Sequence, residues 1–393
     1  MIAYQSAGQR YSDELQYIAL AESIANGSGY ELNGEPSAYR PPAWPTVLAI
    51  GLLIGIPVAY LPLVSGFLLI VAALATGRIT VLLTGTNAGW LTCFIVLLYP
   101  INIYTASTVY PQTFATATIS LIWLLALKSQ RPSTFPLVIA MLLGLLSAAL
   151  ALAVPTLALA SGLIIAWTLI QNGVAGIWRS AFTMGSALIP LLFWCVRNWL
   201  ILGQPVLLST SSGVNLLLGN NKNTTASNGL GADISEYRRA ADELGLDELG
   251  RNEYFRASAL TWISENPGAA LSLFLRKLLN YFSAYNAPAS EGRGSGLAAI
   301  VSWTSLAVLL GFLAIRIYLH FRGFSVLSSS EKIFLTIFVV HAPVMAAFFT
   351  RTRFRQPLDI VLLVEAGISL SLLVAYFLAT TRRRKSASAC DPR

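Results

Sequence analysis

The chain reads as an all-α, polytopic membrane protein, and three observations carry that class. Of its 393 residues, 55% are hydrophobic and only 11% are charged, against about 25% charged in an ordinary soluble domain. About nine apolar stretches approach the roughly 20 residues needed to cross a bilayer. The basic residues gather in short loops beside those stretches, where Lys and Arg set membrane orientation. The net charge of +8 is therefore read as orientation charge, and nucleic acid is not expected as a partner. Cys93 and Cys195 fall inside apolar stretches far apart, so neither a disulfide framework nor a zinc-ligand spacing is present.

Residues 1 to 42 are polar and lack the apolar core of a signal peptide. Within them, Ser12-Asp13-Glu14 precedes a helical pattern from Leu15 to Ala25, a sequence that also suits a helix N-cap. The apolar piece at 43 to 56, bracketed by Pro45 and Pro57, is too short to span and reads as an interfacial helix. The expected spans lie near 60 to 77, 88 to 103, 112 to 127, 136 to 153, 155 to 170, 180 to 196, 297 to 315, 333 to 349 and 357 to 379. Between the sixth and seventh, residues 197 to 296 form the only sizeable extramembrane region. It has Asn/Gly/Thr-rich turns at 213 to 231, a charged helical stretch from about 233 to 265, and an amphipathic run from Leu271 to Tyr285. The tail after Arg382 is basic and small-residue-rich, and disorder is expected there. The chain thus divides into a first loop with an interfacial helix (1–59), a membrane block (60–196), a loop domain (197–296), a second membrane block (297–379) and a basic tail (380–393).

Arg78, Lys128 with Arg131, Arg179, Arg316 with Arg322, and the run Arg382 to Lys385 all fall on one side, which the positive-inside bias makes cytoplasmic. Residues 1 to 59, 104 to 111, 197 to 296 and the loop of Arg351, Arg353 and Arg355 then face outward. The spans read as largely uncharged in their middles, with ionisable groups crowding the outer face. Nine spans with a cytoplasmic C-terminus place the N-terminus outside. Nothing in the first 42 residues would carry it across, so a further apolar helix encoded upstream of Met1 is expected.

Ionisable groups beside hydrocarbon are costly, about 2.5 to 3.5 kcal/mol each at mid-bilayer, so a cluster at the boundary marks a functional site. Three motifs stand on the outer side. The first is Ser12-Asp13-Glu14 with Tyr17, Gly27 and Gly29, followed by Tyr39-Arg40-Pro41-Pro42 and Trp44-Pro45. The second runs from Trp194 and Arg197-Asn198 through Gly203, Pro205-Val206, Ser209-Thr210 and Gly213-Val214-Asn215-Leu216 to Gly219-Asn220-Asn221. The third is His341 with Arg351, Arg353 and Pro357. Together they resemble GT-C glycosyltransferases, over about residues 10 to 375. The nearest subgroup is the bacterial dolichyl-phosphate-mannose protein mannosyltransferase-like enzymes (glycosyltransferase family 39-like), which include the lipid A aminoarabinose transferases.

The resemblance implies transfer of a sugar from a polyprenyl-phosphate donor to a glycan, lipid or protein hydroxyl at the outer face of a plasma membrane, with inversion. By position, Asp13 matches the acidic residue taken as general base, with Glu14 as the alternative carboxylate. Glu14 points roughly 100° away from Asp13 on one helix turn and is not expected to share its contact. Arg40 matches the basic residue before the two prolines, and its expected role is phosphate binding. Arg351, Arg353 and Arg355 alternate with Thr352 and Phe354, so an extended backbone would aim all three one way; all three are candidate phosphate ligands, with one or two expected to contact the phosphate and at least one to be only interfacial. Tyr17, Gln112, Asn220 and His341 are the candidate substrate contacts. Interhelical hydrogen bonding for His341 and a plain turn at Gly219-Asn220-Asn221 remain open alternatives. Relatives often carry an acidic residue where Gln112 stands, and an amide supplies no charge to a divalent cation. Two other function classes stay open: a non-catalytic subunit of envelope-polysaccharide assembly, and a lipid or sugar transporter.

Overall fold

The computed structural model describes residues 12–129, 137–173, 176–286 and 296–389. Helix α1 (Ser12–Ala25) leads into a two-stranded antiparallel hairpin, β1 (Glu31–Leu32) with β2 (Glu35–Pro36), the only strands among the described residues. The short helix α2 (Ala43–Leu53) follows and buries Trp44, Leu48 and Ala49. Then come α3 (Pro62–Thr84), α4 (Gly89–Leu98), α5 (Pro100–Ala106), α6 (Gln112–Lys128), α7 (Leu137–Ala151), α8 (Ala158–Asn172) and α9 (Ile177–Leu202). A cap is formed by α10 (Ser212–Gly219), α11 (Ser235–Glu243), α12 (Glu248–Glu265) and α13 (Pro267–Tyr281). Helices α14 (Gly296–Phe321), α15 (Ser329–Ala347) and α16 (Thr352–Ala389) complete the chain.

Each of the nine expected spans is helical, with one break and two short members. Among the described residues, six helical stretches are long and apolar enough to cross a membrane singly: those over α3, α8, α9, α14, α15 and α16. Helices α4 and α5 meet at 63°, because Pro100 has no N–H to donate and its ring clashes with the preceding turn. Helices α6 and α7 hold 17 and 15 residues, about 22 to 26 Å at 1.5 Å per residue. Counting the bent pair once, the chain is a multi-pass membrane protein.

Lipid tails are as apolar as Leu, so these helices associate through close packing and polar contacts rather than through the hydrophobic effect. A Cβ on Gly144 of α7 would lie 2.2 Å from the Thr183 carbonyl of α9, and one on Gly367 of α16 1.9 Å from Thr92 Oγ1 of α4. Small residues at these crossings let the backbones touch. Helix α6 is buried on nearly every side, and its Thr116, Thr118 and Ser120 hydroxyls are satisfied by carbonyls four residues back. By contrast, α9 and α14 carry exposed Phe193, Leu200, Leu297 and Ile300, the outward side suited to lipid.

Two features depart from the sequence reading. The spans are not uncharged: Arg316 of α14 bonds Glu331 of α15 at 2.6 Å and lies 3.6 Å from Glu365 of α16, all three buried. Arg316 therefore pairs inside the bundle instead of serving as a loop charge. Helix α16 also continues through the basic tail to Ala389, since Arg, Lys and Ala are strong helix formers that prolong an existing helix.

Candidate functional site

A cavity of about 210 Å³ opens where the membrane helices end and the cap begins. Five parts of the chain meet there: the first turns of α1, the Tyr39-to-Pro41 loop, residues 110–112, residues 153–156, and the ends of α15 and α16. The cap closes it with Ser209, Val214 and Leu218.

The loop carrying Arg40 is held from several directions. Tyr30 donates its hydroxyl to the Arg40 carbonyl at 2.8 Å. Arg197 of α9 donates to the carbonyls of Ser37 and Tyr30, both at 2.9 Å, while its guanidinium lies over the Trp194 ring at 5.2 Å. Glu248, in the first turn of α12, accepts from Ser37, from the Ala38 amide and from Thr210. Trp194, Arg197 and Thr210 thus support the first loop from behind, while Ser209 lines the cavity.

Asp13 sits between two guanidinium groups. Arg40 Nη2 donates to its Oδ1 at 2.8 Å, and Arg353 Nη2 faces its Oδ2 at 3.5 Å. The Asp13 side chain is 22% exposed, so it remains reachable from the cavity. Arg40 is further fixed by Gln16 Oε1 at 2.8 Å and lies 5.2 Å from the rings of both Tyr17 and Tyr39. Arg353 lies over the Tyr110 ring at 4.5 Å. Burial pushes the Tyr17 and Tyr110 phenols above their ordinary range, so both stay protonated and able to donate. Arg238 of α11 stands exposed at the rim. The charged residues lining the cavity are therefore three cations, Arg40, Arg238 and Arg353, against the single carboxylate of Asp13. The lining also includes the apolar side chains of Val154, Pro155, Met345, Phe348, Phe349 and Phe354.

Of the residues singled out in the sequence, Asp13, Tyr17, Arg40, Gln112 and Arg353 line this cavity. Of the motif residues, Tyr39, Pro41, Ser209, Val214 and Asn215 line it as well, whereas Glu14, Arg351, Arg355, Asn220 and His341 lie outside. Glu14 is 5% exposed and accepts the Val109 amide at 3.0 Å, on a different side from Asp13. Arg351 donates to the Asn228 carbonyl at 3.1 Å. Arg355 is buried, paired with Asp359 at 2.8 Å and donating to the carbonyls of Tyr281 and Ser283. The expected extended backbone is absent because α16 begins at Thr352; residues two apart on a helix diverge by about 200°, so Arg353 and Arg355 cannot share a target. Asn220 bonds the carbonyls of Leu216 and Ala347 and accepts from Lys277. His341 is buried beside the Tyr281 ring, and neither ring nitrogen has a hydrogen-bond partner. Sequence reasoning missed Arg238, which looks like any solvated helix charge.

The donor set does not suit a divalent cation. Both Asp13 oxygens face guanidinium groups, Gln112 offers only a neutral amide, and no group of three His, Cys, Asp or Glu side chains among the described residues is placed to hold a metal ion.

No protein-family model matches the chain, and no curated protein matches it. Among solved structures it is similar to an archaeal oligosaccharyltransferase, AglB from Archaeoglobus fulgidus, determined in complex with an inhibitory peptide and a dolichol-phosphate. The likeness covers 97% of this chain and 48% of that one, at 13% sequence identity and a TM-score of 0.45. The chain spans about half the length of that protein, and a likeness this loose carries no chemistry from one to the other.

Proposed function

We propose that the chain is a GT-C-type membrane glycosyltransferase that moves a sugar from a polyprenyl-phosphate donor to an acceptor hydroxyl. The observation that carries this reading is a carboxylate between two guanidinium groups, in a cation-rich cavity that also has apolar side chains in its lining, at the ends of membrane helices. Arg40 and Arg353 are suited to a phosphate because guanidinium groups stay charged and bond its oxygens through paired donors. The apolar lining side chains suit the first isoprene units. Asp13 takes the proton of the acceptor hydroxyl as its oxygen bonds the anomeric carbon. The bond from that carbon to the phosphate oxygen breaks, and its electron pair leaves on the phosphate beside the arginines. Configuration inverts in this single displacement, and no step requires a metal.

The proposed setting is a prokaryotic plasma membrane, with the cavity facing outward and the C-terminus cytoplasmic. The test is sugar transfer from labelled polyprenyl-phosphate sugars by membranes containing the protein. A general base contributes about 10² to 10⁴ in rate, so Asp13→Asn is expected to lose at least about 10² with donor binding retained. Equal transfer by wild type and Asp13→Asn would remove Asp13 from the mechanism. Absence of transfer by wild type would favour a non-catalytic subunit, the reading that the neutral Gln112 suggests.

A further inference from the structure

The cap holds a second cavity, of about 320 Å³, between α11 and α12. That volume falls at the lower end of the range for ligand pockets. Tyr237 of α11 lines one side, and α12 supplies the rest from positions 254, 257, 258, 261, 262 and 265, a spacing of threes and fours that sets them on one helix face. Tyr237, Tyr254 and Trp262 are half-buried, and both tyrosines pack against the apolar cluster of the cap. The tyrosine rings are thus held in place before a ligand arrives, which lowers the ordering cost of binding. Among the described residues, the Tyr237 and Tyr254 hydroxyls, the Trp262 indole N–H and the Thr261 hydroxyl have no protein hydrogen-bond partner, and Glu265 has no ion pair. Thr261 and Glu265 are exposed, and the polar atoms of the three aromatic residues keep accessible surface. Burial first, then Glu236, pushes the Tyr237 phenol above its ordinary range, so it stays protonated and able to donate.

This lining selects among ligand classes. Among the described residues it contains no Lys or Arg, so a phosphate or an acidic chain would meet only the Glu265 carboxylate. Its one aliphatic side chain is Ala257, which gives an acyl chain little apolar surface to cover. Extended peptides bind through backbone pairing, and the interior backbone groups of α11 and α12 are already bonded within their helices. A sugar ring suits what remains. Its C–H faces lie against aromatic rings, and its hydroxyls accept from the phenol, indole and threonine donors while donating to the carboxylate. We propose that this cavity of the cap binds an uncharged saccharide chain. Tyr237 lines it and the next residue, Arg238, lines the cavity that holds Asp13. A glycan bound here therefore lies beside the site proposed for transfer, on residues that site does not use.

The test is a ligand-observed NMR titration of neutral hexasaccharides of glucose, mannose and N-acetylglucosamine with the purified full chain, in a detergent without a sugar headgroup. Wild type should bind at least one of them with a dissociation constant of about 1 mM or tighter. Hexagalacturonate should bind at least about tenfold more weakly, because its carboxylates face Glu265 with no cation to offset them. Trp262→Ala should weaken the neutral glycan at least about tenfold by removing an aromatic face. Tyr237→Phe with Tyr254→Phe keeps both rings and their packing, and should weaken it about fivefold or more by removing two hydroxyl bonds. The paired Phe variant should melt with wild type, which separates lost binding from lost folding. Binding of no neutral hexasaccharide by wild type, equal binding of hexagalacturonate, or affinity that both variants leave unchanged would overturn the proposal. None of these outcomes bears on sugar transfer at Asp13, and loss of that transfer reading would leave the glycan titration unchanged.

Discussion

Lys277 joins three segments through one ammonium group. It is fully buried and donates to the carbonyls of Gly219 and Phe348 and to Asn220 Oδ1, at 2.8 to 3.2 Å. Burial pushes it down to about 8, whereas an unfolded lysine titrates near 10.4. Between those values the unfolded chain binds more protons, so folding stability rises with pH from about 8 upward and is lowest below it. Lys277→Met should abolish that rise, measured as melting temperature in detergent from about pH 7 to 9.5, and should cost about 1 to 3 kcal/mol by orphaning the acceptors. At this scale the sequence was informative where chemistry and context were both unusual. Asp13 and Arg40 stood out as charges beside a membrane, and they meet in the cavity. Arg355 misled because an alternating Arg pattern was read as extended when α16 had already begun, and Lys277 looked like an interfacial anchor rather than a buried hub.

Among the elements, α10 is fitted to the end of α15 by Gly219. A Cβ there would fall 1.8 Å from the Phe348 carbonyl, and backbone cannot yield as a flexible side chain does. Gly219→Ala should therefore lower stability by about 3 kcal/mol, whereas Gly66→Ala, at an open position of α3, should be neutral or stabilising by up to about 1 kcal/mol. Paired melting curves check both. Apolar length located the helices well, since it is a local property written in every 20 residues. The break at Tyr99-Pro100 fell inside a single expected span, because hydropathy does not register a missing backbone donor. Asn220 was read as a substrate contact with a plain turn at Gly219-Asn220-Asn221 as the alternative; Gly219 ends α10, and its packing partner, Phe348, is remote in sequence and had no local signature.

Across the whole molecule, residues from 13–41, 110–112, 153–156, 209–238 and 345–354 meet around the cavity, and helices alternating in direction would place residues 85–88 and 322–328 at the opposite end. In a background free of native cysteines, Ser28→Cys and Ser264→Cys, both exposed at the cavity end, should react with a membrane-impermeant maleimide from one side of sealed cells. Phe324→Cys, exposed at the opposite end, should react only after the cells are opened. Labelling of all three from one side would overturn the arrangement. Loop charge gave an expected sidedness, but it missed that Arg316, Glu331 and Glu365 pair across three helices, because hydropathy averages hide single charges. The two arginines flanking Asp13 have a last consequence for the proposed reaction. With the site empty, their hydrogen bonds occupy both carboxylate oxygens. An arriving anion competes for those same donors, so the donor itself unmasks the group that activates its attacker. The catalyst would rest in a quiescent state, and the lipid phosphate would bind before the acceptor.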